Sequence, residues 1–181
     1  IGVRDELRPE VPEAVQTLRA NDVEVSMLTG DNTRTARALA KIAGIDDVRA
    51  ELRPEDKASI VAEFSSKTPT AMIGDGINDA PALAGATVGI AMGATGSDAA
   101  IDSADVAFTG HDLRLIPQAL QHARRGSRII NQNIVLSLAI IIVLMPLAIS
   151  GVLGLAAVVL VHEVAEVIVI LNGLRAARTK R

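Results

Sequence analysis

Gly74-Asp75-Gly76-Ile77-Asn78-Asp79-Ala80-Pro81-Ala82-Leu83 is the stretch on which the fold assignment depends, and it directly follows a short β-like run at residues 70–73. Two glycines flank an Asp at the end of a strand, so the backbone can turn tightly and approach an anion closely. Asp75 and Asp79 offer carboxylate oxygens, the ligands that Mg²⁺ prefers when it keeps waters and shares a phosphate. Turn chemistry alone also explains a Gly-Asp-Gly sequence, so the interpretation depends on the neighbouring segments.

Short β-like runs alternate with helix-like segments on both sides of this stretch. Strands are predicted at residues 23–28, 48–50, 70–73, 88–92 and 105–108. Helices are predicted at residues 33–43, from Pro54 onward with proline in the first turn, and at residues 113–123. This alternation predicts an α/β fold with a parallel sheet covered by helices. Functional groups collect at the carboxyl ends of such strands, so the loops at residues 29–31 and 74–79 are predicted to converge.

The composition of the 181 residues excludes several classes of function. Aromatic residues make up 1% of the chain and the net charge is −3, without one long basic run. Nucleic-acid binders use aromatic stacking platforms and basic patches, so no nucleic-acid partner is expected. The absence of cysteine excludes disulfides and thiolate metal ligands within this stretch.

The last third of the chain has the composition of membrane-spanning helices. Residues 134–150 carry no charge, and residues 151–171 carry only His162, Glu163 and Glu166. These lengths can cross a bilayer, and arginines or lysines flank both ends, at positions 124, 125, 128, 175, 178, 180 and 181. We therefore predict two transmembrane helices, at about residues 131–150 and 153–172, with both basic clusters in the cytoplasm. A buried hairpin in a soluble core is the weaker alternative.

His162, Glu163 and Glu166 would lie near the middle of the second span. Ionisable groups at that depth are costly and usually face a pathway or a partner. Helical neighbours three and four positions apart share a face, so an imidazole and one or two carboxylates can point together at Zn²⁺, Co²⁺ or a similar divalent ion. The alternative is a His–Glu pair that holds helices together.

Three further segments of the sequence belong with residues 74–83 in this comparison: Asp5-Glu6-Leu7-Arg8-Pro9, Met27-Leu28-Thr29-Gly30-Asp31-Asn32 and Leu52-Arg53-Pro54-Glu55-Asp56-Lys57. In order and spacing, the four segments closely resemble the motifs of P-type ATPases, members of the haloacid-dehalogenase-like superfamily of aspartyl-phosphate enzymes. His162-Glu163, followed by Asn172-Gly173-Leu174-Arg175, resembles the last span of the heavy-metal subfamily. The resemblance implies a haloacid-dehalogenase-like Rossmannoid parallel sheet at residues 1–126, the second half of the phosphorylation domain. It also implies a two-helix transmembrane hairpin at residues 127–175 and a cytoplasmic basic tail at residues 176–181.

The resemblance also implies roles for single residues. Asp75 matches the Mg²⁺-binding carboxylate of the family, and Asp79 matches the second acid, which supports the metal site. Thr29 and Lys57 match the hydroxyl and ammonium groups that hold the phosphoryl oxygens, and Asn78 is placed to assist them.

Three further residues belong to the same motifs. Gly30 lies in the loop of Thr29, while Asp31 and Asp5 match positions that are structural or close to the nucleotide. The phosphorylated Asp of the family lies in an Asp-Lys-Thr-Gly-Thr motif, which does not occur in this sequence. We therefore expect the chain to be the C-terminal part of a longer ATPase, inactive on its own, with the nucleophile and most of the ATP site upstream.

The resulting expectation is an ATP-driven, Mg²⁺-dependent pump for a Zn-, Co- or Cd-like cation, working through an aspartyl phosphate. It would be a multi-pass protein of the plasma membrane, in contact with the lipid bilayer, with its soluble part and C-terminus in the cytoplasm. Two alternatives remain. One is a catalytically silent membrane module that binds metal or a partner subunit, and the other is a membrane-anchored phosphatase of the same superfamily.

Overall fold

The computed structural model describes residues 7–74, 78–93 and 102–177. Two predicted site residues, Asp5 and Asp75, lie outside these ranges. The chain divides into two compact units, Ile1–Pro117 and Gln118–Arg181. The two units are described separately.

The first unit alternates helices and parallel strands. Its elements are α1 (Val11–Arg19), β1 (Ser26–Leu28), α2 (Thr33–Ala43), β2 (Asp47–Arg49), α3 (Pro54–Lys67), β3 (Ala71–Gly74), α4 (Ala80–Gly85), β4 (Val88–Met92) and β5 (Val106–Phe108). Strand β1 pairs with β2, and β3, β4 and β5 pair in that order, all in parallel. The predicted parallel α/β fold is therefore confirmed, although its hydrogen bonds form two sheets where one was expected.

Strand β1 is shorter than the sequence predicted. The β-like run begins at residue 23, but pairing with β2 begins only at Ser26. Asp22 has a φ of 59°, and the backbone N–H of Val23 donates to the carbonyl of Leu18 at 3.1 Å. The start of the run is therefore held against the end of α1, and only its last residues are free to join a sheet.

The two central helices begin with recognisable capping contacts. The side chain of Asn32 accepts a hydrogen bond from the backbone N–H of Thr35 at 3.0 Å, which caps α2. Helix α3 has proline at its first position, and Asp56 accepts from the backbone N–H of Arg53 at 3.0 Å.

A small apolar core lies where strands β1 and β3 end. It consists of Val61, Met72, Ala82 and Leu83, with Leu28, Ala58 and Ala86 packed against it. Leu28 is the last residue of β1 and Met72 lies in β3, so both hydrogen-bonded sheets contribute to this core. Because Thr29 follows Leu28 and Lys57 precedes Ala58, burial of these apolar neighbours positions two predicted site residues.

The second unit is formed by two long apolar helices. They are α5 (Leu115–Ile149), which begins in the last residues of the first unit, and α6 (Leu155–Ala177). Both are long and apolar enough to cross a membrane. The separate helix predicted at residues 113–123 is instead the start of α5, because residues 118–133 contain no proline and only one glycine. Between the helices, Gly151 takes a φ of 73° in the predicted turn, a left-handed conformation that suits glycine.

Candidate functional site

Lys57 and Asp79 form an ion pair next to the end of β3. Lys57 lies in the first turns of α3, and Asp79 directly precedes α4. The Lys57 Nζ atom donates to Asp79 Oδ1 at 2.8 Å, and the two side chains are only 16% and 14% exposed. Charge-assisted hydrogen bonds between largely buried groups are strong and directional. The structure therefore joins two of the predicted site residues, 22 positions apart in sequence.

Gly74, the last residue of β3, leaves the space that Asp79 occupies. A Cβ atom on Gly74 would lie 2.8 Å from Asp79 Oδ2 and 3.0 Å from Asp79 Cβ. Real Cβ atoms essentially never approach so closely, so any side chain at this position would displace the carboxylate. The first glycine of the Gly-Asp-Gly motif thus has a steric role: it lets Asp79 fold back over the strand end toward Lys57.

The loop after β1 holds Thr29 in a closed local network. Thr29 Oγ1 donates to Asp31 Oδ2 at 2.9 Å and accepts from the backbone N–H of Asp31 at 3.1 Å. The backbone of Thr29 also bonds to the carbonyl of Arg49 and to the N–H of Leu52, at 3.0 and 3.1 Å. A Cβ on Gly30 would lie 3.3 Å from the Leu52 carbonyl oxygen, so this loop packs closely on the next one. Asp31 therefore orients the Thr29 hydroxyl.

Glu51 is a contributor that sequence reasoning missed. Its carboxylate accepts from the backbone N–H and the hydroxyl of Thr33, at 3.2 and 3.0 Å, and its φ is 60°. Its own backbone N–H donates to the Asp31 carbonyl at 2.9 Å. These contacts tie the loop after β2 to the start of α2. No local sequence pattern predicts the contact between Glu51 and Thr33, which are 18 residues apart. The Asn32 cap could have been predicted from its position directly before the helix.

The described residues thus include a hydroxyl in the loop after β1, and an ammonium and a carboxylate paired beside the end of β3. Asn78 is exposed beside Asp79. Hydroxyl and ammonium donors can hold phosphoryl oxygens, and a carboxylate can hold a hard cation. The arrangement has the chemistry of a phosphate-handling site.

A second ion cluster lies just before α5. Arg114 donates to both carboxylate oxygens of Asp112, with its Nη2 atom 2.8 Å from Oδ2, and lies 3.7 Å from Glu13. The hydrogen bonds from Arg114 lower the pKa of the Asp112 carboxyl, and the same pair raises the pKa of Arg114. These groups are exposed, so the cluster is a surface feature.

In the second unit, His162 and Glu166 lie side by side on α6. His162 Nε2 is 3.2 Å from Glu166 Oε1, and the side chains are 56% and 58% exposed. Glu163 is also exposed, but His162, Glu163 and Glu166 do not form one cluster; no group of three or more His, Cys, Asp or Glu suited to a metal occurs among the described residues. His162 also lines a groove of about 290 Å³, together with Ile140, Ile141, Leu144, Met145, Ala148 and Val158. The structure therefore pairs two of the three predicted cation ligands.

Comparison with known proteins gives a consistent relationship along the whole chain. A family model for haloacid dehalogenase-like hydrolases matches residues 1–87. The chain is 66% identical over 180 residues to the "Probable cation-transporting ATPase G" of Mycobacterium tuberculosis, covering 99% of this chain and 23% of that protein. It is 43% identical over 176 residues to the zinc-transporting ATPase of Bacillus subtilis, covering 97% of this chain and 28% of that protein. The chain thus spans about a quarter of the length of these relatives.

The solved structures agree with these similarities. A zinc-transporting PIB-type ATPase in the E2.Pi state matches with a TM-score of 0.90 and 40% identity, over 97% of this chain and 29% of that chain. A cobalt-bound deoxy-D-mannose-octulosonate 8-phosphate phosphatase from Haemophilus influenzae matches 63% of this chain and 70% of that chain, with a TM-score of 0.52 and 21% identity, a likeness of fold alone. Together with the two apolar helices, the ATPase similarities identify a membrane protein. The chain belongs to the P-type ATPases, within the haloacid dehalogenase-like superfamily.

Proposed function

We propose that the whole protein is an ATP-driven pump for a divalent transition metal such as Zn²⁺, Cd²⁺ or Co²⁺, working through an aspartyl phosphate. The observation that carries the proposal is the partly buried Lys57–Asp79 pair at a parallel strand end, in a chain that also holds the His162–Glu166 pair on an apolar helix. A phosphate-handling edge and an intramembrane metal-ligand pair are the two sites that such a pump requires.

In the phosphoryl site, Lys57 and Thr29 hold the transferred group. Lys57 has three N–H donors and uses one on Asp79, which leaves donors for phosphoryl oxygens. The Thr29 hydroxyl is kept in place by Asp31, and Asn78 assists at the exposed rim. Because negative charge spreads over the transferred oxygens, donors positioned in advance supply most of the stabilisation. Asp5, outside the described residues, stays a prediction for the nucleotide side.

Asp79 and Asp75 would hold Mg²⁺ at this edge. Asp79 fits that role in chemistry, since it is a hard carboxylate whose Oδ1 accepts from Lys57 while Oδ2 lies against Gly74. The contact with Lys57 suits the supporting acid, and Asp75, outside the described residues, would be the main ligand. When bound with ATP, the ion would neutralise charge on the phosphates. Lys57 and Gly74 orient the Asp79 carboxylate for this role.

In the membrane part, His162 and Glu166 would hold the transported cation, with Glu163 as a neighbouring ligand. Imidazole nitrogen and carboxylate oxygen suit Zn²⁺ and related ions. Basic residues flank both helices, at positions 124, 125, 128, 175, 178, 180 and 181. This bias supports a multi-pass protein of the plasma membrane, embedded in the lipid bilayer, with the first unit and the C-terminus in the cytoplasm.

The test is metal-stimulated ATPase activity of the full-length protein, compared for Zn²⁺, Cd²⁺, Co²⁺ and Cu⁺. Lys57→Met should abolish turnover with every ion, because the phosphoryl site loses its ammonium group. His162→Ala and Glu166→Gln should remove stimulation by the transported ion. His122→Ala is the matched control, since His122 is an exposed histidine of α5 outside the apolar stretch, and should behave as wild type.

Two results would overturn the proposal. If His162→Ala left stimulation by every ion intact, the proposed cation site would be wrong. If Lys57→Met and Asp75→Asn left turnover and metal resistance unchanged, the silent membrane module would be the better description.

A further inference from the structure

The less exposed positions of the two helices of the second unit define a seam between them. In the part of α5 that lies in this unit, the less exposed positions are mostly three or four residues apart, at Gly126, Ile129, Asn133, Leu136, Ser137, Ile140, Leu144 and Leu147. Those of α6 are Val158, Ala165, Val169, Asn172, Gly173 and Ala176, with a gap of seven positions between the first two. This spacing is typical of helices that pack in the manner of a left-handed coiled coil.

Two asparagines in this seam bond to each other across the helices. Asn172 Nδ2 donates to Asn133 Oδ1 at 2.8 Å, and Asn133 Nδ2 donates to the Val169 carbonyl at 3.3 Å. Arg175 Nη1 donates to Asn172 Oδ1 at 2.8 Å, and Arg125 Nη2 donates to the Arg175 carbonyl at 3.1 Å. The polar chain therefore ties both helices at one end of the seam.

The apolar part of the seam does little to fix the relative positions of the helices. Within residues 118–177, only Ile129 and Ala165 are buried. Leu, Ile, Val and Ala make similar contacts after a shift along the axis, and lipid supplies no hydrophobic force between helices. An Asn pair is different, because its hydrogen bonds form in one register only, and a single seam Asn is known to specify register in coiled coils.

The register matters because His162, on the same helix as Asn172, lines a groove with residues of α5. The two residues are ten positions apart, about 15 Å along a helix. In the observed register His162 lines the groove with Ile140, Leu144 and Met145 of α5. A shift of one turn, about 5.4 Å, would move His162 to a different level of α5.

We propose that Asn133 and Asn172 form a register lock, which holds α6 against α5 so that His162 and Glu166 present one ligand geometry to the transported cation. The pair acts as positioning residues and does not touch the ion. The effect on metal binding rests on the proposed function. The register lock is an inference about how the two helices are held, and it does not depend on that function.

The test uses the full-length protein with Asn133→Leu, Asn172→Leu and the double variant. Asn131→Leu is the matched control, because Asn131 is an exposed asparagine of the same helix. When only a fraction of molecules has the competent register, apparent metal affinity falls by that fraction. Each seam variant should raise the metal concentration for half-maximal ATPase activity roughly three- to tenfold, with kcat changed less than about twofold.

Equal metal dependence in Asn133→Leu, Asn172→Leu and wild type would overturn the positioning role. So would an equal change in Asn131→Leu. Thermal unfolding of the purified protein tests the lock independently of pump activity: the two seam variants should each lower Tm, and the double variant should lower it by less than the sum, since both lose the Asn172–Asn133 bond. Additive Tm losses would overturn the lock, whether or not metal stimulates the ATPase. Absence of metal stimulation alone would contradict only the proposed function.

Discussion

The Lys57–Asp79 pair predicts a measurable coupling between α3 and the loop after β3. Lys57→Met and Asp79→Asn each remove one charge and nearly preserve side-chain size. With Nζ and Oδ1 2.8 Å apart, an effective dielectric constant of about 20 gives a gross attraction of roughly 6 kcal/mol. The side chains are 16% and 14% exposed, so desolvation offsets most of this attraction. We expect each single substitution to cost about 2 kcal/mol.

The double variant should cost less than the sum, because neither charge is then left without its partner. We expect about 2.5 kcal/mol for the double variant against about 4 kcal/mol for the sum, a coupling of about 1.5 kcal/mol. Amide hydrogen exchange of the full-length protein, followed in peptides from α3 and α4, measures this opening free energy. A coupling of that size changes exchange rates slightly more than tenfold.

A surface ion pair in the same helix is the control for this cycle. Lys67 Nζ lies 2.6 Å from Glu63, but these side chains are 66% and 55% exposed. Solvent screens such pairs, so Lys67→Met should leave the exchange of α4 unchanged. If Lys57→Met and Asp79→Asn were additive within about 0.5 kcal/mol, the proposed coupling would be refuted.

Three further outcomes follow from named contacts. Gly74→Ala places a Cβ 2.8 Å from Asp79 Oδ2 and should lower the kcat of the full-length ATPase roughly ten- to a hundredfold, because the carboxylate must move. Asn32→Ala removes the cap of α2 and should cost about 1 kcal/mol, measured by hydrogen exchange of the first turn. Arg114 holds the pKa of Asp112 below its usual range, so this carboxylate stabilises the fold above about pH 4 and loses that contribution as pH falls through its lowered pKa. Thermal melting of Asp112→Asn should lack this component.

Each of these predictions has its own control. Gly85→Ala introduces a Cβ that would lie 3.9 Å from the Ala58 carbonyl, an ordinary contact, and should keep full activity. If Gly74→Ala also kept full activity, the position of the Asp79 carboxylate would not depend on the absence of a side chain at residue 74. Asn32→Asp keeps the accepting oxygen and should keep the cap, so an equal loss in both variants would contradict the capping argument. An unchanged acid dependence in Asp112→Asn would contradict the role given to Arg114.

Several local elements could be predicted from short stretches of sequence. Helix α2 and strand β4 have the predicted bounds, and α3 begins at the predicted Pro54. Each depends on hydrophobic spacing or on a residue that starts a helix. Prediction failed at the start of β1, because the end of the preceding helix α1 holds Val23, and at the start of the second unit, because no residue stopped α5.

The sequence by itself determined the parallel α/β class, the polar loops after β1 and β3, and the two apolar helices with His162 and Glu166 between basic flanks. These are properties of contiguous residues: apolar period, turn chemistry and length. Tertiary structure alone decided that Lys57 meets Asp79, that Gly74 makes room for that carboxylate and that Asn133 meets Asn172, 39 positions away. Such contacts depend on which segments the core or the seam brings together, and no local pattern carries that information.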